Sequence, residues 1–514
     1  MKYKVISNAE FTYPDIWDYP SQAESADIFT CRGGYASFQL LFDELDSEEV
    51  SVNFKGLPND VMPEIYTLVP VFVERNEGIN KEKIGPHYPE RTAPYYLYDC
   101  LKPFSGKLDL SKGFGGLYIA IKAEKNSSKG EYNCSLEIND LSIPVNLTVY
   151  PVDLPEETLT MINGYAGWTA AGYHKVKYLS EEYFEIEKKY LKALRRMHQN
   201  MMYVRGVKAT KVSENKWDFD FSHMISEMKR YDEAGIKYFN GPSVGWRKSW
   251  NESTILLNGS IPSMSYEGYC YLSQYLPALK KVLEENNFLH RFVMGVADEP
   301  NKENATEFRA LCGLIRKIVP EIRLIDAMNY GDLHGALDIW VPLNAEYDKH
   351  QEEIETMRAN GDEIWFYVCC GPRERGYINR FMHYPLLSTR YLHWGNYRHN
   401  LTGYLHWAAN CYQPNQDPFT VNCPEHHFDD RVCFLPPGDT HIIYPGTDGP
   451  WISIRLEAQR ESAEEYELLK KLAETDKEKA DEICEKVFRS FKDVEYDVNK
   501  FINNKRELLI ALSE

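Results

Sequence analysis

The most constraining feature of this sequence is a long alternation between strand-like and helix-like segments. Short, β-rich runs recur eight times in the middle of the chain, at residues 161–167, 201–207, 236–244, 291–297, 322–329, 338–343, 364–370 and 401–408. Eight strands spread over about 250 residues match the size and order of a (β/α)8 barrel. A doubly wound open sheet is the alternative architecture with the same kind of alternation.

The segments between these runs carry apolar residues at helical spacing. Two clear examples are the sets Tyr183, Ile186, Tyr190 and Leu194, and Phe308, Leu311, Ile315 and Ile318. Between the fifth and sixth strands only residues 330–337 remain, so the helix there is short or missing. The middle of the chain, residues 156–412, is therefore predicted to be an α/β barrel domain.

The chain before the barrel has a different pattern. Short β-rich runs at 36–41, 117–121, 132–138 and 143–149 are separated by Gly, Pro, Asn and Asp, and helical periodicity is absent. Residues 1–155 are therefore predicted to form an N-terminal antiparallel β-sandwich, with 151–155 as the linker. Residues 413–514 are predicted to be a loop, a short strand at 441–444 and C-terminal helices packed on the barrel.

The composition excludes several classes of partner. The net charge of −19 and the pI near 5.3 disfavour nucleic acid and anionic membrane surfaces as partners. No run of 18 apolar residues occurs, and the first residues lack the apolar region of a signal peptide. Eleven cysteines without a regular framework indicate reduced thiols, so we expect a cytoplasmic protein.

Asp298-Glu299-Pro300 directly follows the fourth predicted strand. Catalytic groups of barrels lie where strands end and loops begin, so these two acids are candidates for acid catalysis. Crowding raises the pKa of one carboxyl and leaves a protonated acid beside an ionised one. Pro300 is expected to keep Glu299 extended, with its side chain in the barrel mouth. The alternative is a helix start, where acids and proline are also favoured.

The adjacency of the two acids favours one kind of mechanism. A retaining hydrolase with an enzyme nucleophile places two carboxyls about 5 Å apart across the scissile bond. Neighbouring residues, with Cα atoms about 3.8 Å apart, are awkward for that arrangement. They suit a different division of labour, in which one acid protonates the leaving oxygen and the other orients a nucleophile of the substrate, such as a 2-acetamido group.

Further motifs resemble a known family. They are 403–407 (GYLHW) with Asn410, Asp417-Pro418-Phe419, Gly438-Asp439-Thr440, Tyr444-Pro445-Gly446, 452–457 (ISIRLE), Arg460, 464–468 (EEYEL), 32–39 (RGGYASFQ) and 147–155. Together with Asp298-Glu299 they resemble glycoside hydrolase family 123, the β-N-acetylgalactosaminidases, and its uncharacterised relatives. The resemblance covers nearly the whole chain.

The resemblance implies a sandwich, a catalytic barrel and retaining, substrate-assisted release of terminal β-linked N-acetylgalactosamine. It implies that Glu299 is the acid/base and that Asp298 holds the acetamido group. The expected substrate is an oligosaccharide or glycoconjugate. Two alternatives stay open: a β-glycosidase with a second acid such as Asp326 or Glu346, and a non-catalytic carbohydrate-binding protein.

Other residues near predicted strand ends are candidates for substrate binding. Aromatic faces suit sugar rings, although core packing is the alternative role for each ring. The candidates are Trp168, Trp246 and Trp407 as platforms, Tyr330 as a hydrogen-bond partner of the acetamido group, and Asn344 and Asn410 as partners of hydroxyls. Arg455, Glu457 and Arg460 are expected to form a buried ion network.

No metal and no cofactor are expected. The segment 411–439 is rich in Cys, His and Asp, but it lacks the paired C-x-x-C element of a zinc site. We interpret this segment as a polar loop over the barrel mouth.

Overall fold

The computed structural model describes residues 1–76, 91–328, 332–372, 376–428 and 431–514. The protein is a mixed α/β chain that opens with nine strands. They are β1 (Lys2–Ser7), β2 (Ala26–Arg32), β3 (Tyr35–Asp43), β4 (Val52–Lys55), β5 (Val61–Val73), β6 (Tyr95–Pro103), β7 (Gly115–Ala123), β8 (Gly130–Ile138) and β9 (Leu141–Asp153).

These nine strands form two sheets that enclose a common apolar core. One has the order β2-β9-β8-β4, and the other contains β1-β3-β7-β5-β6. Alternating residues such as Phe38, Leu40 and Leu147 point into the space between the sheets. All pairings are antiparallel except β2 with β9, which is parallel. An antiparallel N-terminal sheet region is therefore confirmed, with one parallel exception.

The middle of the chain alternates strands and helices. Its elements are β10 (Thr160–Asn163), α1 (Gly167–Tyr173), α2 (Glu181–Arg196), β11 (Met201–Tyr203), β12 (Lys208–Ser213), β13 (Lys216–Asp220), α3 (Ser222–Glu233), β14 (Tyr238–Gly241), β15 (Gly245–Trp246), β16 (Leu256–Leu257), β17 (Ile261–Pro262), α4 (Tyr266–Glu285), a 3₁₀ turn (Leu289–Arg291), β18 (Phe292–Gly295), α5 (Ala305–Ile318), β19 (Arg323–Met328), β20 (Ile339–Pro342), α6 (Asn344–Lys349), α7 (Gln351–Ala359), β21 (Glu363–Ile364), β22 (Phe366–Tyr367), α8 (Leu386–Arg390), α9 (Leu392–Arg398) and β23 (Gly403–His406).

Each of the eight predicted strands overlaps an observed strand, and their pairings are parallel. One sheet has the order β11-β14-β18-β19-β20-β21 and the other β10-β23-β22. A single parallel bridge between Leu343 and Tyr367 connects the two. Within the described ranges, the hydrogen-bond ladders form two sheets rather than one closed ring. Side chains from both sheets, including Ile162, Val293 and Trp365, share one apolar cluster.

The last part of the chain completes the N-terminal sheet. Its elements are β24 (Glu425–Phe428), β25 (Arg431–Phe434), β26 (Ile443–Gly446), β27 (Gly449–Ser453), α10 (Ile454–Thr475), α11 (Lys477–Val487), β28 (Phe488–Ser490), β29 (Asp493–Val494) and α12 (Val498–Ala511). The hairpin β26–β27 adds to β6, which makes a seven-stranded sheet. This sheet therefore crosses the predicted boundaries at residues 155 and 412.

Helix α10 is buried along most of its length although it is rich in charge. Ser453 caps it by accepting a hydrogen bond from the Leu456 amide. In its first turn, Arg455 binds both carboxylate oxygens of Asp99 on β6, at 3.0 and 2.9 Å. Tyr444 donates to the same carboxylate at 2.6 Å. The predicted buried ion network is confirmed, and it joins the sandwich to this helix.

Further along α10, the charges pair with residues of helices α2 and α8. Arg460 bonds Glu457 and Glu464, and Glu457 also binds Arg196 of α2. Arg390 of α8 binds the carboxylates that follow, Glu461 and Glu465. Burial costs each ion its hydration, so only this close pairing makes the arrangement stable. The cations around Glu461 lower the pKa of its carboxyl to about 2 against the burial that would raise it.

Two general features complete the fold. No helix in the described part of the chain combines the length and apolar character that crossing a membrane needs. All eleven cysteines lie in described residues, and none of them forms a disulfide.

We predict that Asp99→Asn lowers the free energy of unfolding by about 3–5 kcal/mol, because it leaves the Arg455 guanidinium buried without its counter-ion. Denaturant titration followed by circular dichroism measures this change. The control is Asp27→Asn, which removes the exposed pair with Arg506 (side chains 63% and 28% exposed) and should cost about 0–1 kcal/mol. Equal losses in the two variants would contradict the structural role of the buried pair.

Candidate active site

Asp298 and Glu299 lie just beyond β18, at the carboxyl end of the parallel strands. Both residues have left-handed backbone angles, with φ of 44° and 39°. The expectation that Pro300 keeps Glu299 extended is therefore wrong. Left-handed conformations of residues with a β-carbon cost of order 1–3 kcal/mol each and persist only where their surroundings hold them. The turn that presents the two acids is thus a strained turn.

Two side chains hold this turn from opposite sides. Arg247 donates from Nη2 to the carbonyl oxygens of Asp298, at 2.5 Å, and Glu299, at 3.2 Å. Asp326 of β19 accepts the amides of Val296 and Ala297 on one carboxylate oxygen, at 3.1 and 2.9 Å. The strand end and the turn are therefore fixed by an arginine on one loop and a buried carboxyl on the neighbouring strand.

The Glu299 carboxyl is partly buried and faces across the mouth towards β22. The Tyr367 hydroxyl donates a hydrogen bond to Glu299 Oε1, with 2.5 Å between the two oxygen atoms. Burial, followed by the negative charge of Asp298, raises the pKa of Glu299 to about 7, against the lowering effect of the Tyr367 hydrogen bond. A carboxyl with this pKa is protonated in a large fraction of molecules near neutral pH, which is the state required of a general acid.

Asp298 is more open to the mouth than Glu299. Desolvation by the surrounding protein raises the pKa of its carboxyl, and the positive charge of Arg247 opposes the rise. Tyr203, at the end of β11, is also influenced by the Asp298 carboxylate. Burial and then the negative charge of Asp298 raise the pKa of the Tyr203 hydroxyl. Two neighbouring carboxyls and two tyrosines thus share one edge of the parallel strands.

The three predicted tryptophan platforms all lie beyond the carboxyl ends of strands in this region. Trp168 lies on α1 after β10 and is 55% exposed, and Trp246 is the last residue of the short strand β15 and is 45% exposed. Trp407 follows β23 and is half-buried, with its indole N–H donated to Asp439 over 3.1 Å. Exposed aromatic faces at a strand-end rim are available to sugar rings.

A buried polar chain lies behind Trp407. Asp439 approaches His406 Nε2 at 3.4 Å, and His406 Nδ1 accepts hydrogen bonds from Arg380 and the Ala408 amide. Since Nδ1 accepts, the imidazole proton is on Nε2 and faces Asp439. Burial lowers the pKa of His406, which keeps the ring neutral. The orientation of Trp407 is therefore determined by Asp439 and, through it, by His406.

The remaining predicted substrate-binding residues have other surroundings. Asn410 is fully buried and exchanges hydrogen bonds with the Ala166 backbone, which anchors the start of the helix that carries Trp168. Asn344 is also fully buried, and its amide nitrogen donates to the Ile378 carbonyl. Tyr330 lies outside the described residues.

The alternative second acids are engaged elsewhere. Asp326 binds backbone amides, as described above, and Glu346 of α6 pairs with Lys349 and His350. Across the described part of the chain, no group of three or more Cys, His, Asp or Glu side chains is arranged to hold a metal ion. Residues 425–428 and 431–434 of the segment 411–439 form the hairpin β24–β25.

Sequence reasoning missed Tyr367 and Arg247. Tyr367 was inside a predicted strand, and its alternation with Trp365 places it on the inward face, where a tyrosine hydroxyl needs a partner. That signal was present in the sequence. Arg247 gives no comparable signal, because its contact is to backbone carbonyls whose position depends on the strained turn.

Protonation of a glycosidic oxygen requires a carboxyl that carries its proton near neutral pH, and glycosidases use it together with a second carboxyl. A family model of the catalytic domain of glycoside hydrolase 123 matches residues 165–472, more than half of the chain. The protein is accordingly a glycoside hydrolase, an enzyme whose substrate is a carbohydrate or a glycoconjugate. It belongs to glycoside hydrolase family 123, and the resemblance inferred from the sequence motifs is confirmed.

Comparison with solved structures shows a shared fold. The chain is similar to a family 123 glycoside hydrolase from Clostridium perfringens, studied for glycolipid glycan hydrolysis, with 16% identity, a TM-score of 0.77, and coverage of 99% of this chain and 97% of that one. A putative beta-galactosidase from Bacteroides fragilis shares 11% identity over 90% of this chain and 60% of its own, with a TM-score of 0.30. Nothing matches among curated protein sequences.

We predict that Tyr367→Phe raises the pKa of Glu299 above about 7, because the hydrogen bond it removes stabilises the ionised carboxylate. Carbon-13 NMR of protein labelled at glutamate δ-carbons measures the titration, with Glu299→Gln assigning the signal. Tyr404→Phe is the matched control, since this buried tyrosine of β23 has a hydroxyl without a hydrogen-bond partner in the described structure. An unchanged or lower midpoint in Tyr367→Phe would refute the contact.

Proposed function

We propose that this family 123 hydrolase releases terminal β-linked N-acetylgalactosamine by a retaining, substrate-assisted mechanism. The observation that carries the proposal is the pair of adjacent carboxyls, of which Glu299 has a pKa of about 7. Both acids stand on one turn, so they approach a bound sugar from the same side. That placement leaves the nucleophile to the substrate.

Glu299 is the general acid in this proposal. Its protonated carboxyl donates to the glycosidic oxygen as the acetamido oxygen of the substrate attacks the anomeric carbon from the opposite face. The products of this step are the released aglycone and a cyclic oxazoline. Glu299, now ionised, then removes a proton from a water molecule as the water oxygen attacks the anomeric carbon. This attack opens the oxazoline ring and gives a product with retained configuration.

Asp298 orients the acetamido group. Its carboxylate accepts the amide N–H and stabilises the positive charge that develops on the oxazoline ring. Arg247 is important here, because it fixes the carbonyls of both acids and thus the angle between the two side chains. Preorganised charge of this kind acts mainly in the transition state.

We further propose that the two parallel sheets form one (β/α)8 barrel. The first strand pairs with the last, β10 with β23, as in a closed array and unlike a doubly wound sheet. The remaining gap, between β10 and β11, is spanned by Asn200, whose side chain accepts the Met161 amide at 2.9 Å. The proposed domains are 1–155, 156–412 and 413–514, with the aromatic rim of Trp168, Trp246 and Trp407 as the sugar platform.

A reducing compartment such as the cytoplasm is the proposed place of action, because none of the eleven cysteines, all of which the structure describes, forms a disulfide.

Glu299→Gln is predicted to lower kcat by about 10²–10⁴-fold on substrates with poor leaving groups, since the general acid is lost. The glutamine is nearly isosteric, so circular dichroism should show an unchanged fold. Steady-state assays on aryl glycosides of graded leaving-group pKa measure the effect, which should shrink as the leaving group improves. Wild-type rates on the poorest leaving group would rule out this role for Glu299.

Asp298→Asn is predicted to lower kcat by about 10²–10³-fold with a smaller change in KM, because the charge it removes acts in the transition state. A thiazoline mimic of the cyclic intermediate should inhibit the wild type strongly and this variant weakly. Chromogenic glycosides with and without the 2-acetamido group provide the second arm. Turnover of plain β-glycosides, with a 2-fluoro glycoside covalently labelling an Asp or Glu, would replace this mechanism by a two-carboxylate one.

The pH profile gives an independent check. Since Glu299 acts in its protonated form, kcat/KM should fall as the pH rises through about 7. In Tyr367→Phe the same limb should move to higher pH, in step with the titration midpoint. If the alkaline fall of kcat/KM stays at the same pH while the titration midpoint of Glu299 moves, the general acid is a different group.

A further inference from the structure

Two adjacent cysteines lie just beyond the strand that carries Tyr367. Cys369 and Cys370 follow β22 after Val368, and their sulfur atoms lie 3.9 Å apart, at hydrogen-bonding distance for thiols. Both residues are partly exposed, and neither is in a disulfide. The two thiols therefore form a contiguous pair that is open to a ligand from solution.

Contacts place one of these thiols against the interior between the two parallel sheets. Cys369 comes two residues after Tyr367, in a bend just beyond β22, and Trp365 comes two residues before Tyr367. All three belong to or pack against the apolar cluster between the two parallel sheets. Tyr367 binds Glu299. The hydrogen bond to Cys370 and then burial raise the pKa of Cys369, and nearby negative charges, including that of Glu299, add to the rise. A group attached to Cys369 would extend from the end of the strand whose tyrosine binds the candidate acid.

The turn that carries the pair is fixed by local hydrogen bonds. The Gly371 amide donates to the Cys369 sulfur over 3.4 Å. Asn379, which is fully buried, donates to the carbonyls of Cys369 and Gly371, each at 3.0 Å. This support keeps the two thiols on the same side of the chain, so that a ligand does not have to order them.

The spacing distinguishes two possible uses of a thiol pair. A disulfide needs sulfurs about 2.05 Å apart and Cα atoms of 4.4–6.8 Å, whereas adjacent residues offer only about 3.8 Å between Cα atoms. Two thiolates on one soft atom, with bonds of about 2.3 Å, stand about 3.4 Å apart at a pyramidal centre and about 3.8 Å apart at a tetrahedral one. The observed 3.9 Å fits a bridging soft atom without movement of the backbone.

The number of donors then selects the class of ligand. A protein-bound zinc ion takes three or four side chains, and no Cys, His, Asp or Glu in the described residues joins this pair to make such a set. A monosubstituted trivalent arsenical needs only two sulfurs, because its organic group occupies the third bond. We propose that Cys369 and Cys370 form a binding site for monosubstituted trivalent arsenicals at the edge of the active site.

The binding reaction balances without an oxidant. An arsenoxide, R–As=O, reacts with two thiols to form two As–S bonds, and its oxygen leaves with both thiol protons as water. The arsenic remains trivalent and both sulfurs remain at the thiol level. The occupied site places the R group at the end of the strand whose tyrosine binds Glu299, so turnover stops. This last consequence rests on the proposed function, whereas the binding itself does not.

The test uses phenylarsine oxide on the full-length protein. Intact mass spectrometry under non-reducing conditions should show one phenylarsenic adduct per chain, formed with loss of one water. A dithiol such as 2,3-dimercaptopropanol should remove the adduct, and the same concentration of a monothiol should not, because only the dithiol forms a competing ring. Glycosidase activity should disappear and return together with the adduct.

Cys369→Ser and Cys370→Ser are each expected to abolish the dithiol-reversible adduct, since one sulfur cannot close the ring. Cys270→Ser, which changes a partly exposed cysteine on α4, is the matched control and should keep it. An adduct retained in both active-site variants would overturn the proposal, as would the absence of any adduct on folded wild type. An adduct on a protein without glycosidase activity would instead refute the proposed function and leave the site intact.

Discussion

The charges buried along α10 are the interaction on which the rest of the fold depends. Arg455 joins this helix to Asp99 in the N-terminal sheets, and Arg390 joins its carboxylates to helix α8. Each ion alone would be too costly to bury, so every layer is stable only when its neighbour supplies the counter-ion. The sandwich therefore has an energetic connection to the catalytic part of the chain, and its packing limits how far the strand ends can move.

The candidate site uses the rigidity that this framework provides. Two consecutive left-handed residues are unfavourable in a loop, but Arg247 and Asp326 hold them by backbone contacts alone. Neither residue needs to touch the substrate to matter, because each determines where the carboxyls of Asp298 and Glu299 point. The same logic applies to Trp407, whose indole orientation is fixed by the buried Asp439. Geometry in this mouth is thus maintained by residues one layer away from it.

Sequence periodicity predicted much of this architecture, because apolar residues recur at a different spacing in strands and in helices. All eight middle strands, helices α2 and α5, and the acids after the fourth strand were placed correctly. The left-handed turn at Glu299 was missed because a following proline disfavours right-handed helix without choosing among the other conformations. The contact of Tyr367 with Glu299 was missed because it joins residues 68 positions apart. Local patterns carry no record of such distant pairs.

The hairpin β26–β27 has a consequence for how the molecule is made. Ribosomes produce β6 long before residues 449–453, which pair with its edge. Until then the growing sandwich presents an open strand edge, a known starting point for aggregation. The nascent protein must keep that edge apart from neighbouring chains while the middle part of the chain, with its alternating strands and helices, is synthesised. Cellular yield should accordingly depend on chaperone supply and translation speed, even in variants whose finished structure is as stable as the wild type.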